Sequence, residues 1–129
     1  MDEIWHNISY KGDTSGGAFL AEARADAGSL WFSGHFPGEP ILPGIAILSM
    51  ATDAIRYRER EKGRKVRIVS IRRVRFKLPV RPEESLKIVL SLPDQAEELT
   101  YHFVVELKGK AVCTGIAVVL PLPDDTRGR

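Results

Sequence analysis

The sequence predicts an α+β domain in which an antiparallel sheet wraps around one long central helix. Two observations favour this fold class. The segment that follows Pro43-Gly44 is apolar on nearly every side for its first three turns, and a helix that is apolar all round is buried all round. Most other apolar residues alternate with polar ones at the period of two that is typical of strands. A curved sheet around the helix accounts for both patterns.

The helix is predicted over residues 44–60. Pro43 stands at its start and Gly63 follows its end, which is the usual punctuation of a helix. Its last two turns are rich in charged residues. We expect those turns to leave the core and to meet solvent.

Strands are predicted at residues 73–80, 86–92 and 99–107, where apolar and polar residues alternate, and at 111–120, which is almost wholly apolar. The turn signal Lys108-Gly109-Lys110 predicts a hairpin between the last two strands. Upstream, we expect strands at 17–27 and 30–32 and a shorter one at 4–10.

Length and composition indicate a single domain over residues 1–120 and a flexible tail at 121–129, which is polar and Pro-rich. No apolar run approaches the roughly 20 residues that a membrane span needs. The N-terminal residues do not resemble a signal peptide, and Cys113 is the one cysteine. We therefore expect a cytoplasmic protein with no membrane association and no metal site.

One loop carries the strongest functional signal. The stretch GHFPGEPILPG at residues 34–44 surrounds a single histidine, His35, with glycines and prolines. It resembles the active-site signature G-H-F-P-G-x-P-x-x-P-G of the 3-hydroxyacyl-[acyl carrier protein] dehydratases of the hot-dog fold, and all eight fixed positions are present. Similarity to that family extends over about residues 30–120, through segments 71–90 and 107–120.

The resemblance implies the reaction of those lyases, in which a 3-hydroxyacyl thioester of acyl carrier protein or coenzyme A loses water and becomes a trans-2-enoyl thioester in fatty acid or related biosynthesis. It implies that His35 is the base. It also implies that the amides of Gly44, Ile45 and Gly38, with Phe36 beside them, face the thioester. No cofactor is implied. Sites at a subunit interface imply a homodimer or higher oligomer.

The sequence departs from the family at the general acid. The family carries an acidic residue fourteen positions after the histidine, and here that position is Ser49. Asp53, one helical turn further, is a second candidate, because burial in the apolar part of the helix would raise its pKa. Alternatively, Asp53 pairs with Arg56 or Tyr57, or faces solvent. A hot-dog hetero-partner that supplies the acid is also open.

Two other functions remain open. A hot-dog thioesterase would use His35 with Glu39 or Asp53 to activate water. A non-catalytic acyl-binding or partner subunit would explain Ser49, and also why the sequence lacks the R-x-P-F-L-L-like patch that helps to form the acyl channel in the family.

Charge is unevenly distributed. The net charge is only +2, but eleven basic residues lie between positions 56 and 77. Such a block fits an acidic acyl carrier protein, or else a solvated helix end and strand face. Few aromatic residues are interleaved with it, so we expect no nucleic-acid binding. His6 and His102 lack any motif, and we expect both to be structural or solvated.

Overall fold

The computed structural model describes residues 5–33, 38–91 and 99–123. Within these ranges the strands are β1 (Asn7–Asp13), β2 (Ala18–Arg24), β3 (Val66–Phe76), β4 (Leu86–Ser91), β5 (Leu99–Leu107) and β6 (Lys110–Pro121), and the helices are a 3-10 turn (Leu30–Phe32) and α1 (Gly44–Glu61). All paired strands are antiparallel, in the order β1-β2-β4-β5-β6-β3. This six-stranded sheet and its long helix confirm the α+β hot-dog prediction.

The helix α1 matches its prediction to within one residue at its C-terminal end. Pro43 is extended and caps the N-terminus. At the other end Gly63 has φ +81°, its N–H donates to Arg60 O at 2.9 Å, and the Arg64 N–H donates to Glu59 O at 3.0 Å. This pair of bonds is the Schellman motif, in which glycine takes the left-handed conformation that ends a helix.

The core lies between one face of α1 and the inward residues of the sheet. The apolar helix residues that are almost fully buried are Ala46, Ile47, Met50, Ala51, Ala54 and Ile55. The alternating residues Leu86, Ile88 and Leu90 of β4, and Tyr101, Phe103 and Val105 of β5, are equally buried. Each large apolar side chain buried in this way contributes about 1.5–3 kcal/mol to folding.

The strand predicted at residues 30–32 is wrong. Leu30–Phe32 is a 3-10 turn, which begins where the Ser29 hydroxyl accepts a hydrogen bond from the Trp31 N–H at 3.1 Å and ends with the Ser33 N–H on Leu30 O at 3.1 Å. Three large apolar residues in a row favour a strand by propensity. Here a local serine cap and the burial of Phe32 favour the turn instead.

The strand bounds also shift elsewhere. β3 begins at residue 66, earlier than predicted, and ends at Phe76 rather than at residue 80. Lys77 still donates its N–H to Val112 O at 2.8 Å, but Pro79 has no N–H to continue the ladder. Phe76 and Leu78, two apolar residues of the predicted strand, are 52% and 42% exposed. β1 starts later than its prediction, and β2 lies inside the predicted 17–27.

The hairpin between β5 and β6 forms as predicted. Its two-residue loop is Lys108-Gly109, and both residues have positive φ, 51° and 81°. This is the type I′ geometry whose twist matches that of antiparallel strands. At the far end of β6, the Leu122 N–H donates to Lys65 O at 2.8 Å. Residues 124–129 of the expected tail lie outside the described residues.

Strands β1 and β3 form the two edges of the sheet, so each pairs on one side only within the described chain. β3 is the longer, with 11 residues, and it carries a register irregularity around Arg73, which has φ 55°. Val69 and Phe76 are exposed on it. An exposed edge of this length is a template for pairing with another strand.

The charged end of α1 is not fully solvated, contrary to expectation. Glu59 is 0% exposed and Arg58 is 9% exposed. The Tyr101 hydroxyl donates to Glu59 Oε2, Arg64 Nε donates to Glu59 Oε1 at 2.8 Å, and Arg58 Nη1 donates to Tyr101 Oη at 3.0 Å. Burial and the bond to Glu59 raise the pKa of Tyr101, against the opposite effect of Arg58. The hydroxyl therefore stays protonated and holds α1 to β5.

We predict that Tyr101→Phe lowers the free energy of unfolding by about 1–3 kcal/mol, because Glu59 loses a hydrogen-bond donor inside the core. Urea denaturation measures the change. Tyr57→Phe is the matched control, since the Tyr57 hydroxyl has no hydrogen-bond partner among the described residues. Equal losses in the two variants would show that the Tyr101–Glu59 bond contributes nothing specific.

Candidate active site

The sequence-predicted site residues fall into two groups. His35 and Phe36 lie outside the described residues. Gly38, Gly44, Ile45, Ser49 and Asp53 are described, and four of these five belong to α1. The structure therefore defines the helix side of the candidate site.

The N-terminus of α1 offers two backbone donors. The first helical bonds join the N–H groups of Ala46 and Ile47 to Pro43 O, at 2.9 and 3.4 Å. The N–H groups of Gly44 and Ile45 have no hydrogen-bond partner among the described residues, and no side chain caps them. They lie at the positive end of the helix dipole, where an oxygen that gains negative charge is stabilised.

An apolar cleft of about 400 Å³ opens beside these donors. It is lined by Ile41, Leu42, Gly44, Ile47, Phe76, Lys77, Leu78, Pro79 and Val80. Its two walls are joined by the bond from the Leu42 N–H to Val80 O, at 2.7 Å. Gly38, which precedes these residues in the loop, has φ +93°, a conformation that favours glycine. The cleft has the size and the apolar lining that suit a short acyl chain.

Gly44 has a second reason to be glycine. A Cβ atom at this position would lie 2.6 Å from Cζ of Phe76, well inside van der Waals contact. The missing side chain lets a ligand approach the backbone closely. The structure shows that it also makes room for the Phe76 ring, which covers the first turn of α1 from the end of β3.

Ser49 lies five residues along α1 from Gly44, a rise of roughly 7.5 Å. It is half-buried, and its side chain has no hydrogen-bond partner among the described residues. Its carbonyl oxygen accepts a bond from the Thr52 hydroxyl at 3.1 Å. A serine hydroxyl does not donate a proton as an acid near neutral pH, but it can hold a water molecule.

The apolar pattern of the helix suggested that Asp53 would be buried. In the structure its side chain is 35% exposed. Arg56 Nη1 lies 3.7 Å from Asp53 Oδ1, which is one of the pairings left open by the sequence. A closer partner is His6, whose Nε2 lies 2.9 Å from Asp53 Oδ2. The carboxylate is thus held by two groups on the outer side of α1.

His6 is part of a hydrogen-bonded chain that sequence analysis missed. Trp31 Nε1 donates to His6 Nδ1 at 3.1 Å, and the His6 side chain is 9% exposed. An indole N–H can only donate, so the ring proton of His6 lies on Nε2 and is donated to Asp53. Both ring nitrogens are therefore engaged, which agrees with the structural role expected for His6. Trp31 and Asp53 are 25 and 47 positions from His6, too far apart for any sequence motif to link them.

The comparisons with known proteins identify the family. A family model described as ApeI-like, for the ApeI dehydratase, matches residues 11–116. The chain belongs to the ApeI-like dehydratase family. It is also 37% identical over 93 residues to the 3-hydroxyacyl-[acyl-carrier-protein] dehydratase FabZ of Haemophilus influenzae (strain PittEE), which covers 68% of this chain and 55% of that protein.

A second relative gives the same match. The FabZ of Yersinia enterocolitica is 34% identical over 91 residues, which covers 65% of this chain and 54% of that protein. The chain therefore spans about half the length of the curated relatives it matches.

Solved structures share the fold of this ApeI-like chain. The dehydratase heterocomplex ApeI:P from Xenorhabdus doucetiae superposes with a TM-score of 0.66 at 21% identity, and covers 92% of this chain and 98% of that one. A hypothetical thioesterase with coenzyme A from Streptococcus pneumoniae superposes with a TM-score of 0.70 at 9% identity, and covers 93% and 92%. At these identities the likeness concerns the hot-dog fold alone.

Other chemical groups were also located. Burial raises the pKa of the Cys113 thiol to about 11, so it stays protonated near neutral pH and is a poor nucleophile. His102 is exposed on β5. Across the described ranges, no three or more metal-binding side chains come together. No helix in the part of the chain that the structure describes is long and apolar enough to span a membrane.

We predict that Gly44 and Phe76 are energetically coupled. Gly44→Ala should destabilise the wild-type protein, because the new methyl group displaces the Phe76 ring. In a Phe76→Ala background the same change should be neutral or stabilising, since alanine favours helix. A double-mutant cycle from urea denaturation should give a coupling of about 1 kcal/mol.

Gly28→Ala is the control for this cycle, because a Cβ at Gly28 meets no atom within 4 Å. Additive effects at positions 44 and 76 would contradict the proposed packing of the ring on the first turn of α1.

Proposed function

We propose that this chain is a subunit of a hot-dog lyase that converts 3-hydroxyacyl thioesters into trans-2-enoyl thioesters. The observation that carries the proposal is the N-terminus of α1, where the amides of Gly44 and Ile45 have no partner among the described residues and stand beside an apolar cleft. Membership of a dehydratase family and the complete loop signature around His35 support the same reaction.

In this proposal the helix N-terminus binds the thioester carbonyl. His35 removes the proton from the α-carbon, and negative charge develops on the carbonyl oxygen, where the amides of Gly44 and Ile45 stabilise it. The C–O bond at the β-carbon then breaks, and the leaving hydroxyl takes a proton and departs as water. Phe36 and the Gly38 amide complete the binding of the acyl group. The apolar cleft receives the chain beyond the reacting carbons.

The group that donates a proton to the leaving hydroxyl is not identified among the described residues. Ser49 stands where the family has its acid, and Asp53 is already held by His6 and Arg56. We propose that a second hot-dog subunit supplies the acid, or that a water held by Ser49 does so less efficiently. That the similar Xenorhabdus doucetiae structure is a heterocomplex supports the first route.

The surface of the chain suits such an assembly. The edge strand β3 has 11 residues and pairs only with β6 within the described chain. Exposed apolar side chains stand near it, including Val69, Phe76 and, at the start of α1, Ile45, which is 64% exposed. We propose that β3 and these residues meet either a second copy of the chain or a hot-dog hetero-partner.

The acyl group is proposed to arrive on an acidic acyl carrier protein. Arg60, Lys65, Arg67 and Arg72 are exposed and form no ion pair within the described residues. They lie on the last turn of α1, in the connection that follows it and on β3, and their field attracts an acidic partner. A coenzyme A thioester is the alternative carrier, and the similar Streptococcus pneumoniae structure, which contains coenzyme A, supports it. Either carrier fits the cytoplasmic location expected from the sequence.

A thioesterase is the second candidate, because several structures with the same fold are described as thioesterases. That reaction needs a base for water. Asp53 is engaged by His6, and Glu39 is exposed on the loop, so neither is a prepared partner for His35. Dehydration is therefore the function that the site supports best.

We predict that 3-hydroxyacyl thioesters are dehydrated by this chain, alone or with a hot-dog partner, and that His35→Ala abolishes the reaction while the protein stays folded. Mass spectrometry separates the three functions: dehydration leaves an enoyl thioester, hydrolysis leaves a free thiol, and a binding subunit leaves the substrate unchanged. Comparing the kcat/KM of carrier-protein and coenzyme A substrates with the same acyl group distinguishes the carriers. Docking of either anionic carrier on the basic block should weaken as salt is raised.

Release of a free thiol without any enoyl product would replace the dehydratase with the thioesterase. Full activity in His35→Ala would show that the loop histidine is not the base.

We predict that Ser49→Glu raises dehydratase activity of the isolated chain by at least about tenfold, because general acid catalysis contributes on the order of 10²–10⁴ in rate. The hydration of a short enoyl thioester measures the change in the reverse direction. Ser49→Gln is the matched control, because it has the same length but no acidic proton. Equal rates in the Glu and Gln variants would mean that position 49 does not face the leaving hydroxyl.

A further inference from the structure

A second cleft, of about 380 Å³, lies at the opposite end of α1 from Gly44. It opens between the helix and the edge strand β1. It is lined by Tyr10, Lys11, Gly12, Asp13, Phe19, Tyr57, Arg58, Glu61 and Lys62. None of these residues belongs to the site proposed for dehydration.

The guanidinium of Arg58 forms a charged wall of this cleft. It is almost buried, yet its Nε lies 3.4 Å from Asp13 Oδ1 and its Nη1 donates to Tyr101 Oη at 3.0 Å. Its other terminal nitrogen, Nη2, has no hydrogen-bond partner among the described residues. Every wholly buried side-chain nitrogen or oxygen in those residues does have a partner, so Nη2 is not wholly buried. The unpaired edge of the guanidinium therefore reaches the surface, and the surface next to Arg58 is this cleft.

A carboxylate already lies in the cleft. Asp13 bridges Arg58 and Lys62, whose Nζ lies 3.5 Å from Asp13 Oδ2. Burial acts to raise the pKa of Asp13, but the bond from Arg58 and the charges of Arg58 and Lys62 outweigh it, and the pKa falls below its usual value. Asp13 reaches this position because β1 changes register between Tyr10 and Gly12, where Gly12 has φ +102°. Bulges of this kind redirect side chains beside binding sites.

Part of the cleft wall is aromatic. The rings of Tyr10 and Tyr57 stack in parallel with centroids 3.8 Å apart, and Phe19 lies 6.2 Å from Tyr57. A flat organic molecule can pack along this wall while its charged group reaches the cations. Such a combination of apolar wall and few convergent charges is typical of small-molecule sites.

The balance of charge selects a monovalent anion. Lys11 is engaged by Glu22 at 3.2 Å, and Glu59, 3.5 Å from Arg58 Nη1, is itself paired with Arg64 at 2.8 Å. The remaining charges of the lining are Arg58, Lys62, Asp13 and Glu61. If Asp13 turns outward into solvent, the cleft gains one net positive charge, which one carboxylate neutralises. A phosphate dianion would leave a negative excess beside Glu61.

We propose that this cleft binds a small organic carboxylate, which replaces the side chain of Asp13 between Arg58 and Lys62 and packs against the two tyrosines. The site is independent of the dehydratase proposal. Asp13 acts as an internal competitor, so binding is weak while its carboxylate is in place.

The test is a titration of the full chain with benzoate, acetate and inorganic phosphate, followed by amide chemical shifts. Benzoate should bind more tightly than acetate because of the aromatic wall, and more tightly than phosphate because of charge. Asp13→Asn should increase benzoate affinity by about tenfold, since it keeps the shape of the residue but removes the competing charge. The shifts should centre on Gly12, Tyr57 and Lys62.

Lys62→Ala in the Asp13→Asn background should reverse that gain, whereas Lys65→Ala should not. Lys65 is the matched control, because it is the same residue type three positions away and does not line this cleft. Arg58→Lys removes the guanidinium but keeps a positive charge beside Glu59, so the protein should remain folded. Benzoate binding should weaken in this variant. No saturable shift with benzoate in Asp13→Asn would overturn the site, as would equal affinities in the Lys62→Ala and Lys65→Ala variants. Tighter binding of phosphate than of benzoate would overturn the carboxylate assignment.

Discussion

The apolar face of α1 packs on the sheet, and this packing fixes the rotation of the helix about its own axis. That rotation determines which polar side chains of α1 point toward the candidate site and which point away from it. Ala46, Met50 and Ala54 are fully buried, so the residues between them have fixed directions. Ser49 is left half-buried, and Asp53 is turned toward His6 on the outer side. A different rotation would bury those polar groups and expose part of the core.

Two contacts keep the helix from sliding or turning. At its first turn the Phe76 ring occupies the space that a side chain at Gly44 would fill. Near its last turn Glu59 is bound by the Tyr101 hydroxyl and by Arg64. Buried ionic groups rarely add much stability compared with apolar ones, but breaking such a set is costly, so it defines one arrangement. We interpret the Glu59 network as the feature that sets the register of α1 against β5.

The parts of the fold that sequence predicted well are those with local causes. Pro43 and Gly63 delimit α1, and Lys108-Gly109 supplies the positive φ values of a type I′ turn. Strands β4 and β5 follow from strict alternation, which one buried face enforces. The hot-dog architecture was predicted from the loop signature and the apolar helix together.

What sequence could not predict depends on distant partners. Glu59 is buried because Tyr101, 42 residues away, donates to it, and no local pattern signals that. His6 joins Trp31 and Asp53 for the same reason. On the candidate site, the free amides at Gly44 were predictable from helix physics, but the Phe76 ring over the first turn was not. The role of His35 rests on the signature and stays a prediction.

The position of β3 in the sheet has a consequence for how the chain is made. β3 pairs only with β6 within the described chain, and β6 begins at Lys110, 34 residues after β3 ends at Phe76. A ribosome that adds about 5–20 residues per second needs roughly 2–7 s for that interval. During this time β3 has emerged without its neighbour, whereas β5 and β6 close their two-residue hairpin within about 1–10 μs of being complete. The strand with the longest exposed edge is therefore also the one that waits longest for a partner. Its four arginines, Arg67, Arg72, Arg73 and Arg75, are exposed, and charges of this kind oppose non-specific pairing of an open edge.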